Sequence, residues 1–331
     1  MGQAQMKRIA VHALDGIEAL TIEHAPLPEP EPGEVRLRVG AVGLGFVDGL
    51  LIAGKYQWKP PLPYVPGGEI AGVIDATGPG VAGWAVGQQV ATWQMGGGLA
   101  EYCVVPASSL VGLPAGLDLE TAAAVLLDYA TADYALHVRG RLQPGETVFV
   151  LGANGGIGHA AMQLAKAAGA TVIAGVSCND RREAALRKGA GATVDLSSAA
   201  WRDELRAIVG AGAPDIVVDP LGGPFTEPAF RSLAKRGRHL VIGFAAQGIP
   251  SLPVNLALLK NADLVGIDIR DFCAHDPQGF QERLRWLFGC IIRGEIAPPA
   301  VIQHSLTCAK DAFESLQQRG RLGKLVVTIP D

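Results

Sequence analysis

The sequence predicts an α/β protein in which a doubly wound parallel sheet is inserted into a β-rich domain. Three observations predict it. A glycine turn made of Gly152, Ala153, Asn154, Gly155, Gly156, Ile157 and Gly158 joins an apolar run at 147–151 to an Ala-rich helical run at 160–168. Short strand-like runs separated by Gly and Pro fill the chain up to about residue 118, and strand and helix patterns alternate after it. From about Phe272 the mixed texture of the first part returns. The expected division is 1–118 for the first part of the β-rich domain, 119–268 for the α/β domain, and 269–331 for the second part.

A chain of 331 residues exceeds what one hydrophobic core usually organises, so two domains are expected. With 49% hydrophobic and 18% charged residues the chain is compact rather than disordered. Its net charge of −4 comes without a basic run, which argues against nucleic acid or an anionic membrane as partner and leaves a small molecule. No apolar segment reaches bilayer length and no secretory pattern opens the chain, so the cytoplasm is expected. The five cysteines are scattered and odd in number, against a disulfide framework or a structural zinc cluster. The seven histidines are equally dispersed.

The elements follow in order. Residues 6–11 read as a first strand preceded by a short extension at 1–5, and Pro26, Pro28, Pro30 and Pro32 stiffen a connection inside the domain. Strands are expected at 35–41, 70–76, 89–93 and 102–106, then helices at 120–127 and 134–139. Beyond these, strands at 147–151, 171–176, 193–196, 216–219, 239–243 and 263–267 alternate with helical runs, which implies a parallel sheet. Helices at 281–293 and 310–319 and a closing strand at 324–329 return to the first domain.

The glycine turn carries the chemistry. A strand that turns on glycines into a helix leaves backbone N–H groups at the positive end of the helix dipole, with no side chains to keep a pyrophosphate away. It reads as a dinucleotide site, with a purely structural turn as the alternative in so Gly-rich a chain.

The segments Gly67-Gly68-Glu69-Ile70-Ala71-Gly72-Val73-Ile74 and Val86-Gly87-Gln88-Gln89-Val90, followed by the glycine turn, occur in the order seen in medium-chain dehydrogenases/reductases. Residues 53–64 and 252–266 resemble the zinc-free quinone oxidoreductase branch of that superfamily. The resemblance implies a GroES-like catalytic domain interrupted by a Rossmann domain, and a homodimer through the edge strand of the latter. The ligand positions of zinc-dependent relatives correspond here to Gly45, Gly68 and Leu127, and the structural zinc lobe is missing between Gln94 and Cys103. No metal is therefore expected, and an acceptor that takes hydride unaided, a quinone, suits the chain better than an alcohol.

For the substrate pocket the resemblance implies Gly45, Leu50 and Tyr56, with Tyr56 either donating to the acceptor oxygen or packing under its loop. Many relatives carry Asn where Gly45 stands and some carry Tyr where Leu50 stands, so the pocket has lost polar groups. Asp48 reads first as a structural hydrogen-bonding group and second as a proton handler. Asp128 is assigned neither to pocket nor to solvent.

At the end of the second α/β strand, where an NAD-specific site places an acid, stand Ser177, Cys178 and Asn179, followed by Arg181 and Arg182. NADPH is expected, with Ser177, Arg181 and Arg319 at its 2′-phosphate; the alternative is a solvated helical turn, in which Asp180 could repel phosphate unless it serves as a cap. Thr131, Phe244, Val265, Gly266 and Ile267 are expected near the nicotinamide. Three functions are thus in play: NADPH-dependent quinone reduction, reduction of an α,β-unsaturated carbonyl or enoyl thioester with Lys55 and Lys59 at the pocket mouth, and a crystallin-like cofactor binder with little turnover.

Overall fold

The computed structural model describes residues 4–246, 248–318 and 321–330. In chain order these form β1 (Gln5–Val11), β2 (Leu20–Pro26), β3 (Glu34–Leu44), α1 (Phe46–Ile52), β4 (Glu69–Thr77), β5 (Gln89–Trp93), β6 (Tyr102–Pro106), β7 (Val111–Gly112) and α2 (Leu119–Asp133). There follow β8 (Thr147–Leu151), α3 (Gly156–Ala167), β9 (Thr171–Val176), α4 (Asn179–Arg187), β10 (Ala192–Asp195), α5 (Trp201–Val209), β11 (Ile216–Asp219), α6 (Thr226–Ser232), β12 (Arg238–Val241), α7 (Asn255–Lys260) and β13 (Asp263–Gly266). The last are α8 (Ile269–His275), α9 (Pro277–Ile292), β14 (Val301–Ser305), α10 (Ala309–Gln317) and β15 (Lys324–Thr328).

Two compact units result: Met1–Leu127 with Asp276–Gly294 and Pro298–Asp331, and Asp128–His275 with Glu295–Ala297. The first division falls inside α2 rather than at 118/119, because Gly43 of β3 leaves room for the Ala123 carbonyl and so ties the start of the helix to the β-rich unit. The second falls after α8 rather than at 268/269, where Phe272 stacks on Tyr134 with ring centroids 4.3 Å apart.

In the first unit, β14, β15, β3, β4, β5 and β7 lie side by side, and β6 also pairs with β3. The first half of β3 alternates, Val35, Leu37 and Val39 turning into the core while Arg36 and Arg38 turn out, as a half-buried strand should. The core also takes Leu51 and Ile52 of α1, Phe313 of α10 and Leu325 and Val327 of β15.

In the second unit the order is β10-β9-β8-β11-β12-β13, every pairing parallel. The inner strands β8 and β11 are apolar on nearly every residue, because helices cover both faces. Connection order reverses between β8 and β11, which makes their carboxyl ends the ligand-binding edge of such a sheet.

Several element limits differ from the sequence reading. The helices expected at 120–127 and 134–139 run on without a break: α2, opened by the Asp118 carboxylate accepting the Thr121 N–H at 2.6 Å, passes directly into a wider helical turn at Tyr134–Arg139. In that wider turn the Gly140 N–H reaches back to the Ala135 carbonyl at 2.7 Å. α9 begins at Pro277 because Asp276 caps it through the Gly279 N–H. No helix of the described residues is long and apolar enough to cross a membrane.

Candidate functional site

The glycine turn leaves the end of β8 and opens α3. Gly152 sits at φ 61°, in the left-handed region, and a Cβ on Gly158 would run into the Gly152 carbonyl. A Cβ on Gly156 would run into the Asp128 carboxylate, which the structure thus places over the start of α3. The N-cap is Gly155, which brings no side chain to close the first turn, and Gly155 and Gly156 are exposed. Ala153 is buried and Ile157 half-buried. This is the geometry of an anion cradle on a helix dipole.

The cradle is tied to the next strand end. Asn154 donates from Nδ2 to the Arg181 carbonyl at 2.8 Å, and its buried Oδ1 has no partner, so an acceptor is left over beside the turn. Arg181 in turn donates from Nη1 to Ser177 Oγ at 2.8 Å, so the two residues expected at a 2′-phosphate stand together after β9. Arg182 is committed elsewhere, at 2.7 Å from Glu204 and 3.9 Å from Asp195. Arg319 lies outside the described residues, as do the side chains of Asn179 and Asp180.

The residues expected near the nicotinamide stand as follows. Thr131 is buried on α2, Phe244 follows β12 and is exposed, and of the β13 end Val265 is half-buried, Gly266 exposed and Ile267 buried. Below the carboxyl end of β11, Asp219 accepts from Leu221 N at 3.0 Å, Gly222 N at 2.8 Å, Thr226 Oγ1 at 2.7 Å and His239 Nε2 at 2.9 Å. Burial alone would raise its pKa, but the bond and charge of His239 with the other donors hold the carboxyl below its ordinary range. Behind the cradle, His159 of α3 is buried with both ring nitrogens unpartnered, and desolvation lowers its pKa to about 4.

In the first unit Gly45 and Asp48 meet: the Gly45 N–H donates to Asp48 Oδ2 at 2.8 Å at the start of α1. Burial pushes the Asp48 carboxyl up. Leu50 is half-buried on α1, and Tyr56, in the loop that follows, is half-buried against the core. Around Gly45 the structure adds two residues the sequence reading did not single out. Lys324 Nζ lies 2.6 Å from Glu69 Oε1, both side chains almost fully buried, and Glu69 Oε2 accepts the Leu127 N–H at 3.0 Å. Each stands at the first position of its strand, where the sequence alone does not tell a buried charge from a solvated strand end.

Comparison with known proteins decides the family. Residues 31–115 match the alcohol dehydrogenase GroES-like domain and residues 156–288 the zinc-binding dehydrogenase domain. The rat protein called quinone oxidoreductase-like protein 2 is 33% identical over 329 residues, covering 99% of this chain and 94% of its own. The chain belongs to the medium-chain dehydrogenase/reductase superfamily. Among solved members of the superfamily, a mycobacterial protein complexed with NADPH is 29% identical, with a TM-score of 0.89 over 98% of this chain and 99% of its own. The CurK enoyl reductase is 25% identical, with a TM-score of 0.88 over 99% of this chain and 100% of its own. This superfamily uses the α/β unit for a nicotinamide nucleotide, which the cradle and the leftover Asn154 acceptor fit.

Zinc does not fit the residues present. Gly45 and Leu127 carry no side-chain donor, and at Gly68 a Cβ would collide with the Gln94 carbonyl. The nearest carboxylate, Glu69, is already paired with the Lys324 ammonium at 2.6 Å. Among the described residues no group of three or more His, Cys, Asp or Glu is arranged to hold one.

Proposed function

We propose that this medium-chain reductase transfers hydride from NADPH to a quinone without zinc. The observation that carries the cofactor choice is the Ser177–Arg181 pair after β9, where a hydroxyl and a guanidinium suit a 2′-phosphate and an NAD-type acid would repel it. The NADPH complex of the mycobacterial neighbour supports the same reading.

When bound, the nicotinamide nucleotide supplies the hydride. The chain supplies the rest. N–H groups at the start of α3 hold the pyrophosphate, Asn154 offers its spare acceptor, and Thr131, Phe244, Val265, Gly266 and Ile267 shape the place of the ring. Hydride arriving at a conjugated carbon drives charge onto the acceptor oxygen, where Tyr56 donates a hydrogen bond and water later delivers a proton. Asp48 serves the fold of α1 through the Gly45 N–H rather than proton transfer. Reduction of an enone or enoyl thioester is the second reading, favoured by the likeness to an enoyl reductase and by the exposed Lys55 and Lys59. The same reading includes a cytoplasmic homodimer with no nucleic-acid or membrane partner.

The test is NADPH consumption in the presence of a chelator with naphthoquinones, phenanthrenequinone, alkenals and crotonyl-CoA. Activity restored only by added zinc overturns the metal-free account, and cofactor binding without turnover on any acceptor favours the crystallin-like role. The exchange Arg181→Glu is expected to raise the NADPH KM by about tenfold or more, the effect of a charge-assisted phosphate contact, and the NADH KM far less. Equal effects on both would remove the 2′-phosphate assignment.

A further inference from the structure

We propose that Asn154 is a positioning residue that sets the preference for NADPH over NADH: by holding the backbone of Arg181 it fixes the spacing between the pyrophosphate cradle and the 2′-phosphate side of the cofactor. This rests on the NADPH reading above and adds to it the residue that joins the two anion subsites.

Those subsites stand on separate turns. The N–H groups for the pyrophosphate belong to the turn between β8 and α3, whereas Ser177 and Arg181 follow β9. In the first turn the backbone around Asn154 is fixed from both sides, the Ala153 N–H donating to the Gly175 carbonyl at 3.1 Å and the Gly155 N–H to the Gly152 carbonyl at 2.9 Å. In the second turn α4 starts loosely. Its N-cap, Cys178, makes no side-chain capping bond, and the bond that closes the first helical turn, from the Arg182 N–H to the Cys178 carbonyl, is 3.2 Å long. Asn154 crosses from the rigid turn to the loose one, its Nδ2 donating to the Arg181 carbonyl at 2.8 Å. The Arg181 guanidinium folds back on Ser177, so this arginine is held by its backbone and its side chain together. The ties of Arg182 to Glu204 and Asp195 run to α5 and β10 instead.

The energetics show where such a strut acts. In the free protein Asn154 Oδ1 is buried without a partner, a cost that offsets much of what the bond to Arg181 returns. An amide kept on those terms contributes little to folding, so its effect falls on the ligand. NADPH carries anions on both sides of its adenosine ribose, and two anchors hold such a ligand tightly at one spacing. NADH has hydroxyls in place of the second anion, and that spacing matters far less to it.

The test is a binding cycle read by calorimetry. Asn154→Ala is expected to raise the NADPH Kd about tenfold and the NADH Kd by no more than about threefold, with a urea midpoint at or above that of the wild type. Adenosine 2′,5′-bisphosphate and adenosine 5′-monophosphate, which differ by the 2′-phosphate and carry no nicotinamide, should show the same split. Asn154→Ser, too short to reach the Arg181 carbonyl, should match the alanine variant. In an Arg181→Ala background the loss of Asn154 should cost NADPH no more than it costs NADH, since the group it positions is gone.

Equal losses for the two cofactors, a selective loss that persists without the Arg181 side chain, or a urea midpoint clearly below that of the wild type would each overturn the proposal, making Asn154 a pyrophosphate contact or a part of the fold. A preference for the bisphosphate that Arg181→Ala abolishes and Asn154→Ala leaves intact would sink the proposal and keep the 2′-phosphate reading. A wild-type protein that holds the bisphosphate no tighter than the monophosphate would remove that reading and the proposal with it.

Discussion

At the scale of single residues, His159 gives the sharpest prediction. Its two unpartnered nitrogens are a desolvation cost, so His159→Leu is expected to stabilise the protein at pH 7 by about 1–2 kcal/mol in urea denaturation. The sign of its pH dependence follows from a folded pKa near 4 against an unfolded value of 6.5. Below pH 6.5 the unfolded chain binds the proton that the folded one refuses, so stability falls as pH drops toward 4, by up to about 3 kcal/mol. The leucine variant should lack that part of the slope, and an unchanged slope would mean the imidazole takes up its proton in the folded state. Legible beforehand were the position of the glycine turn between β8 and α3 and the nearness of Ser177 and Arg181 after β9. Lys324 and Glu69 were not, because their meaning lies in a contact between residues far apart in sequence. Lys324 occupies the first position of a closing strand in which a lysine reads equally well as a solvated end.

Among elements, the strands of the parallel sheet were legible nearly to the residue because helices cover both faces and leave continuous apolar runs. Helix limits were less so, since they depend on caps: Asp118 and Asp276 set the starts of α2 and α9 through local hydrogen bonds that apolar periodicity does not encode. The turn after β11 shows how an element end is made rigid. Asp219 gathers two backbone N–H groups, a hydroxyl and an imidazole in the buried interior, so Asp219→Ala should cost about 3–5 kcal/mol by urea denaturation. The same substitution should weaken NADPH binding, because the turn sits at the carboxyl edge of the sheet. A loss under 1 kcal/mol would show that these donors find other acceptors.

For the molecule as a whole, the second unit ends its sheet on β13, which among the described residues pairs only with β12, beside an apolar surface. Ile249, Val254 and Leu258 are each more than 80% exposed, and Leu259 and Leu264 add to the same stretch of chain. An open edge next to exposed aliphatic groups suits a second copy of the chain. Leu258→Glu combined with Leu264→Glu is expected to halve the mass seen in sedimentation, and a monomeric wild type would remove the dimer from the account. The first unit raises a different matter, since β15 inserts between β14 and β3 and pairs Leu325 with Leu44. On the ribosome, β3 must wait for that neighbour until β15 has been made, while the Asp128–His275 stretch can close on itself as it emerges. Nascent chains stalled after His275 should therefore resist protease across the later-made unit and be cut in the earlier-made one, so that maturation runs against the direction of synthesis.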